Sequence, residues 1–373
     1  MRILMIVSST SLMDGINRHV LSIAPALNSF SDVEVGVVTL HSWGALNDEL
    51  KKAGVKCWSL GCENGHQLKV VRRFWRVMRE FRPQIVHDHV MAFWESVLLR
   101  WVFRDVRTVN TIHGVGDSVA HVTLRMRLER LMFMFALRKR DAYIFISKGV
   151  RDVLAGTDSA AAVVYNPISF NTAAESSPEN RERRNVKVVG TACRFAAQKN
   201  LEVMVRVMAA VVKRCPNVEA WMIGDGPDAV LNNRLRDIVK AEHVESNIEF
   251  LGYQKDVLSL VSKMDCFLMT SHWEGMPTSL LEAMSVKTPI AFMVGDGGLQ
   301  DLAEMNRVEG PFAVVAERGD ESAMADGVCG LLNDAAQSAA YAERAFEVGR
   351  RHFDLPVVAR QIKEVYEKCL KED

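Results

Sequence analysis

A chain of 373 residues, 49% apolar and 25% charged, is long for a single core, and two domains are expected of it. Its 46 Lys and Arg balance 46 Asp and Glu, which argues against an obligate nucleic-acid binder, and no run approaches the ~20 apolar residues of a membrane span. The seven cysteines form no CxxC pair, and residues 1–7 lack the apolar core and cleavage site of a signal peptide, so a cytoplasmic protein in a reducing compartment is expected. The balance hides an asymmetry: residues 1–165 carry 22 Lys and Arg against 15 Asp and Glu.

Apolar runs at 3–7, 33–40, 85–86, 108–112 and 143–146 read as buried strands. Helical periodicity lies between them, as at 70–81, where Val71, Phe74, Met78 and Phe81 share a face. The polar, Pro-containing stretch 171–185 breaks the pattern and marks a linker. Strands resume at 187–191, 220–223, 248–250, 266–269 and 289–292. Such alternation predicts an α/β protein of two doubly wound, Rossmann-like parallel sheets. The expected limits are a first domain over 1–168, a linker over 169–186, a second domain over 187–352 and a final helix over 353–373. Ligands of such sheets bind at the carboxyl ends of the strands, here in a cleft between the domains.

In the front half, the first strand runs into a loop ending in Gly15, ahead of a helix over 17–27. The Gly15 N–H can approach phosphate at that helix end; a merely permissive loop glycine fits equally. His87 and His89 close a strand and face one side of it, and without a third ligand they read as core or cleft-wall histidines rather than a metal site. His113, followed by Gly114, closes another strand where an imidazole can reach a substrate hydroxyl. Two segments are both basic and apolar: 68–82, with Lys69, Arg72, Arg73, Arg76 and Arg79, and 122–140, with Arg125, Arg127 and Arg130 beside the apolar run 131–135. Each is either a solvated face or a seat on anionic lipid at the inner face of the plasma membrane, and the residues leave both open.

In the rear half, Arg194 and Lys199 follow the first strand and offer two fixed cations to a diphosphate. Gly224, Gly226 and Ala229 make a formal dinucleotide fingerprint, but Pro227 spoils its turn and no such loop follows the chain's first strand. A plain turn, or a loop lining a nucleotide cleft, is preferred to a nicotinamide site. The run Glu274-Gly275-Met276-Pro277-Thr278-Ser279-Leu280-Leu281-Glu282 is the most informative. Glu274 is expected in a loop and Glu282 about two turns into the following helix, pointing the same way. Between them the N–H groups of Gly275, Met276, Thr278 and Ser279 favour an anion at a helix N-terminus. An anion cradle flanked by two carboxylates suits a sugar diphosphate.

Together these residues resemble the retaining GT-B glycosyltransferases of family 4, over nearly the whole chain. The likeness is carried by Asp14-Gly15, by the strand ends at His87, His89 and His113, and by Arg194 and Lys199. It continues through Gly224-Asp225-Gly226-Pro227, Phe250-Leu251-Gly252-Tyr253, the pair Glu274 and Glu282, and Val365-Tyr366 of a final helix that crosses back to the first domain. The chain departs from the family pattern at Asp14, where a second glycine is frequent, and at 285–289, which lacks a glycine before Pro289. The resemblance implies a nucleotide-diphosphate sugar as donor, a UDP-sugar first, with no metal and no other cofactor. It implies Glu282 on the ribose hydroxyls, and Glu274 with the N–H groups of Gly275 and Met276 on the donor sugar. Arg194 and Lys199 would stabilise the leaving diphosphate, and His113 would contact the sugar or the acceptor. Gly15, Gly224, Gly252, Tyr253, Pro277, Thr278 and Ser279 would complete the donor site. The implied reaction is sugar transfer with retention to a glycan or lipid-linked acceptor, in lipopolysaccharide, capsule or exopolysaccharide assembly. A nucleotide-sugar 2-epimerase of the same layout and a non-catalytic sugar-nucleotide binder are the alternatives.

Overall fold

The computed structural model describes residues 1–12, 14–62, 68–90, 103, 105–114, 141–156, 161–170 and 186–371. The chain divides into two units: Met1–Pro167 together with Leu355–Asp373, and Ile168–Asp354.

The first unit carries seven strands, β1 (Arg2–Val7), β2 (Glu34–Thr39), β3 (Lys56–Ser59), β4 (Ile85–Asp88), β5 (Arg107–Ile112), β6 (Asp141–Phe145) and β7 (Ala162–Val163). They form one parallel sheet in the order β3-β2-β1-β4-β5-β6-β7. β1 is buried from Ile3 to Val7, as a central strand covered on both faces must be. Its side chains alternate between two layers. Ile3, Met5 and Val7 join the core under helix Gly15–Asn28, whereas Leu4 and Ile6 join the core under helix Leu68–Phe81. Helix Leu355–Lys371 returns to the first of these layers and packs Val358, Ala359, Ile362 and Tyr366 with Val20, Ile23 and Leu27. Each large apolar side chain taken from water contributes about 1.5–3 kcal/mol, so this face alone ties the helix to the unit.

The second unit carries β8 (Lys187–Ala192), β9 (Val218–Ile223), β10 (Ile248–Gly252), β11 (Cys266–Met269), β13 (Ile290–Met293) and β15 (Val314–Ala316), parallel in the order β10-β9-β8-β11-β13-β15. A separate two-stranded ladder pairs β12 (Trp273–Glu274) with β14 (Asp296–Gly297). In each unit the strand order reverses beside the first strand, between β1 and β4 and between β8 and β11. Such a switch point opens a crevice at the carboxyl ends of the strands.

The sequence reading passed over β3, β7, β12, β14 and β15. These have two to four residues each, too few for periodicity to register. The linker boundary also needs correction. Ile168 and Phe170 belong to the second unit: the Ile168 N–H donates to Phe353 O at 2.8 Å and the Phe170 N–H to Asp354 Oδ1 at 3.2 Å. Phe353 and Asp354, expected in the returning helix, likewise stay with the second unit. The chain re-enters the first unit at Leu355-Pro356, where a proline suits the first turn of a helix. The rest of the expected linker, 171–185, and the basic segment 122–140 lie outside the described residues. Among the described residues no helix is long and apolar enough to cross a membrane.

Candidate active site

At the switch point of the second unit, the loops after β8 and β11 are stitched together. The first closes with a tight turn, Ala197–Lys199, and Asn200, at φ 50°, starts helix Leu201–Arg214. Thr270 Oγ1 donates to Asn200 O at 3.0 Å, the His272 N–H to Gln198 O at 2.9 Å, and Gln198 Nε2 to Trp273 O at 2.8 Å. These bonds bring Glu274, 6% exposed, against Lys199. Glu274 Oε1 accepts from Lys199 Nζ at 2.7 Å and from Ser271 Oγ at 2.7 Å, while Gln198 Nε2 approaches Oε2 at 3.5 Å. The buried carboxylate is therefore paired, as a buried charge must be. The ammonium has three N–H donors, and among the described residues Glu274 takes one, which leaves two for another anion.

Glu274 stands in β12, not in a loop, so helical phase does not relate it to Glu282. Helix Thr278–Ser285 places the half-buried Glu282 as its fifth residue, little more than one turn in rather than two. Pro277 at the N-cap supplies no side-chain acceptor, so no side chain caps the first turn. The Thr278 N–H is already taken by Met276 O at 2.9 Å, which removes it from the expected anion cradle. Gly275 and Met276 are held against the start of helix Gly298–Val308, after β14, where a Cβ at Gly298 would fall 2.9 Å from Gly275 O and 3.0 Å from Met276 Cα. Arg194 is exposed on the loop after β8, with no ion pair among the described residues.

Gly224 and Gly226 have a steric purpose. A Cβ at Gly224, where φ is 117°, would lie 2.0 Å from Cys193 O, and one at Gly226 would lie 2.1 Å from Phe195 O. The two backbones run in contact, with the Cys193 N–H donating to Ile223 O and the Phe195 N–H to Asp225 O. These glycines therefore brace the Arg194 loop. Gly252, at φ 62°, accepts from the Gly224 N–H at 2.8 Å, and the Tyr253 ring beside it is 60% exposed.

In the first unit, four imidazoles gather at the β1/β4 switch point. His87 on β4 bonds Tyr366 OH through Nδ1 at 2.6 Å and Thr111 Oγ1 through Nε2 at 2.7 Å. His89 Nδ1 lies 3.0 Å from His113 Nε2, and the His19 ring packs against both, with centroids at 5.5 and 5.2 Å. Burial lowers the pKa of His19 to about 4 and of His87 to about 3, and it holds His89 and His113 well below the ordinary 6.5. Neighbouring imidazoles push His87, His89 and His113 the same way, so the cluster is neutral at pH 7. Among the described residues no three His, Cys, Asp or Glu side chains are placed to hold a metal. A Cβ at Gly15 would meet nothing, so the position does not require glycine. Asp14 already caps that helix end by accepting from the Ile16 N–H at 2.9 Å, and its carboxylate would repel a phosphate there.

Sequence reasoning missed Gln198, Ser271 and Tyr366 as partners of site residues. Ser271 lies three residues before Glu274, but nothing in a single sequence shows that a turn folds it back onto the carboxylate.

Residues 13–171 match the model of Glycosyltransferase Family 4, and residues 186–334 match Glycosyl transferases group 1. An N-acetyl-alpha-D-glucosaminyl L-malate synthase of Bacillus anthracis is 28% identical over 180 residues, 48% of this chain and 45% of that one. A lipopolysaccharide 1,6-galactosyltransferase of Salmonella typhimurium is 27% identical over 156 residues, 40% of this chain and 42% of that one. The chain spans about half the length of the curated relatives it matches. A crystal structure of Anabaena Alr3699/HepE in complex with UDP and glucose superposes with a TM-score of 0.79 at 18% identity, covering 99% of this chain and 100% of that one. With both halves matched by the family's two domain models and the fold shared from end to end, the chain belongs to the family 4, group 1 glycosyltransferases of GT-B fold.

Proposed function

We propose that this chain is a retaining glycosyltransferase that moves a sugar from a nucleotide diphosphate to a glycan or lipid-linked acceptor in cell-surface polysaccharide assembly. One observation carries the reading: the half-buried Lys199 paired with the buried Glu274 at the switch point of the second unit, beside a helix N-terminus whose N-cap, Pro277, makes no side-chain bond. In the proposed reaction an acceptor hydroxyl attacks the anomeric carbon on the face from which the diphosphate departs. The C1–O bond to phosphate breaks, and the hydroxyl proton passes to the departing phosphate oxygen. Lys199 and Arg194 stabilise the charge that develops on that oxygen, so the role often given to a metal falls to two side chains. Glu274 orients the sugar, Glu282 holds the ribose hydroxyls, His113 contacts a substrate hydroxyl, and the exposed Tyr253 ring offers a face to the base.

Uridine as the base rests on analogy with the HepE structure, which holds UDP and glucose. Surface polysaccharide as the destination rests on the lipopolysaccharide galactosyltransferase among the relatives. Both named relatives carry the names of glycoside-forming enzymes, which favours transfer over the 2-epimerase reading. Contact with anionic lipid through the face carrying Lys69, Arg72, Arg76 and Arg79, with Trp75 exposed among them, belongs to the same proposal.

The test is a donor screen by thermal shift, followed by measurement of nucleotide release and of the anomeric configuration of the product. Glu282→Ala is expected to weaken nucleotide binding by roughly 10- to 100-fold, the loss of about 1.5–3 kcal/mol of charged hydrogen bonding. If no nucleotide sugar raised the melting temperature, or if Glu282→Ala turned over at the wild-type rate, the reading would fail.

A further inference from the structure

The contact between His89 and His113 fixes more than position. We propose that His89 is a positioning residue that locks His113 in the Nδ1–H tautomer, so that His113 meets a substrate oxygen only as a hydrogen-bond donor. The assignment of a substrate contact to His113 rests on the glycosyl-transfer reading; the tautomer does not.

The proton count leads there. His89 Nδ1 and His113 Nε2 are 3.0 Å apart, so one of them carries the shared proton. Both rings are held neutral by burial, with one N–H each. Among the described residues, His89 Nε2 is buried without a hydrogen-bond partner. If His113 donated, the single proton of His89 would sit on that Nε2 and a donor would be buried unpaired. If His89 donates, Nε2 is left as a bare lone pair, and buried unpaired acceptors are tolerated better than buried unpaired N–H groups. The proton therefore lies on His89 Nδ1, His113 Nε2 accepts it, and the proton of His113 falls on Nδ1.

The surrounding contacts keep the arrangement from relaxing. The His89 ring lies 4.2 Å from the His87 ring at an interplanar angle of 34°. His87 cannot swing away, because Tyr366 and Thr111 hold both of its nitrogens. The His19 ring closes a further side, edge-on to His113 at 80°. A neutral Nδ1–H imidazole whose other nitrogen is occupied has no free lone pair. It can polarise or orient a substrate hydroxyl but cannot take its proton. This agrees with a reaction in which the departing phosphate is the base.

Ring-nitrogen NMR of the ligand-free, imidazole-labelled protein tests the tautomer directly. The expected spectrum shows pyrrole-type Nδ1 and pyridine-type Nε2 for His113, and the reverse pattern in the wild-type protein would overturn the proposal. His89→Leu should shift His113 toward the Nε2–H form and lower kcat by about 10- to 100-fold, by analogy with the loss when the partner that orients a metal-bound histidine is removed. His89→Asn, whose amide can donate from nearly the position of Nδ1, should recover most of both. A Leu variant and an Asn variant with the same tautomer signature and the same kcat would show that His89 only fills space. Should the Leu variant fail to fold, the wild-type spectrum and the Asn variant still decide. A protein with the expected tautomer but no sugar transfer would sink the transfer reading and leave the tautomer assignment standing.

Discussion

The ammonium of Lys199 and the carboxylate of Glu274 meet at 2.7 Å although 75 residues separate them in the chain. The charge expected to serve the diphosphate also neutralises a buried acid, so the two duties are linked in any variant. Lys199→Ala should stop transfer, and it should also destabilise the second unit by about 2–4 kcal/mol. That is somewhat below the ~3–5 kcal/mol for breaking a fully buried pair, because Lys199 keeps some contact with water. Glu274→Gln should cost less. The double variant should depart from additivity by roughly 1–3 kcal/mol in urea unfolding, and strictly additive costs would mean the pair is not coupled.

Gly224→Ala probes the brace under Arg194. The added methyl would meet Cys193 O at 2.0 Å from a backbone at φ 117°, where side chains are strained. Overpacking of about 1–3 kcal/mol and backbone strain of about 1–2 kcal/mol add to a loss of roughly 2–5 kcal/mol. Thermal unfolding measures this, and a melting temperature unchanged within a degree would refute the close backbone packing.

The histidine cluster makes the first unit sensitive to acid. His19 and His87 are lowered from 6.5 to about 4 and about 3, so the unfolded chain takes up their protons first as the pH drops. Their contribution is complete above pH 6.5 and is lost as the pH falls toward 4 and then 3. Each costs about 1.4 kcal/mol per pH unit inside its window. His19→Asn should therefore flatten stability against pH between 6.5 and 4, by up to about 3 kcal/mol over that span. Parallel curves for variant and wild type would show that His19 is not held neutral.

Charge reversal at Arg72, Arg76 and Arg79 probes the basic face of helix Leu68–Phe81. Each cation near an anionic bilayer contributes about 1 kcal/mol, so the triple reversal should lower partitioning onto phosphatidylserine vesicles by at least about 100-fold. Co-sedimentation reads the effect directly. Equal binding by variant and wild type would return this face to plain solvation.

Much of the frame was legible because parallel sheets buried on both faces need nearly unbroken apolar strands. Strand Cys266–Met269 appears in the structure with the limits read from sequence, and helix Leu68–Phe81 begins two residues before its apolar stripe suggested. The motif residues were also visible as a list, since strand–loop–helix alternation places Arg194, Lys199 and Glu274 at the same end of one sheet. Their partners were not visible. That Glu274 sits in a two-residue ladder, that Ser271 folds back onto it, and that the Asp14 carboxylate caps the Gly15 helix end all depend on loop geometry.

The sequence by itself determined two doubly wound sheets and the side chains at their strand ends, because periodic burial and strand–helix alternation are local properties of the chain; the strand order, and with it the switch points, came from the structure. Only the tertiary structure decided which of those side chains touch: Lys199 with Glu274, His89 with His113, Tyr366 with His87. Such contacts join residues 24 to 279 positions apart, and a hydrogen bond forms only when the packing of whole sheets and helices brings donor and acceptor within about 3 Å.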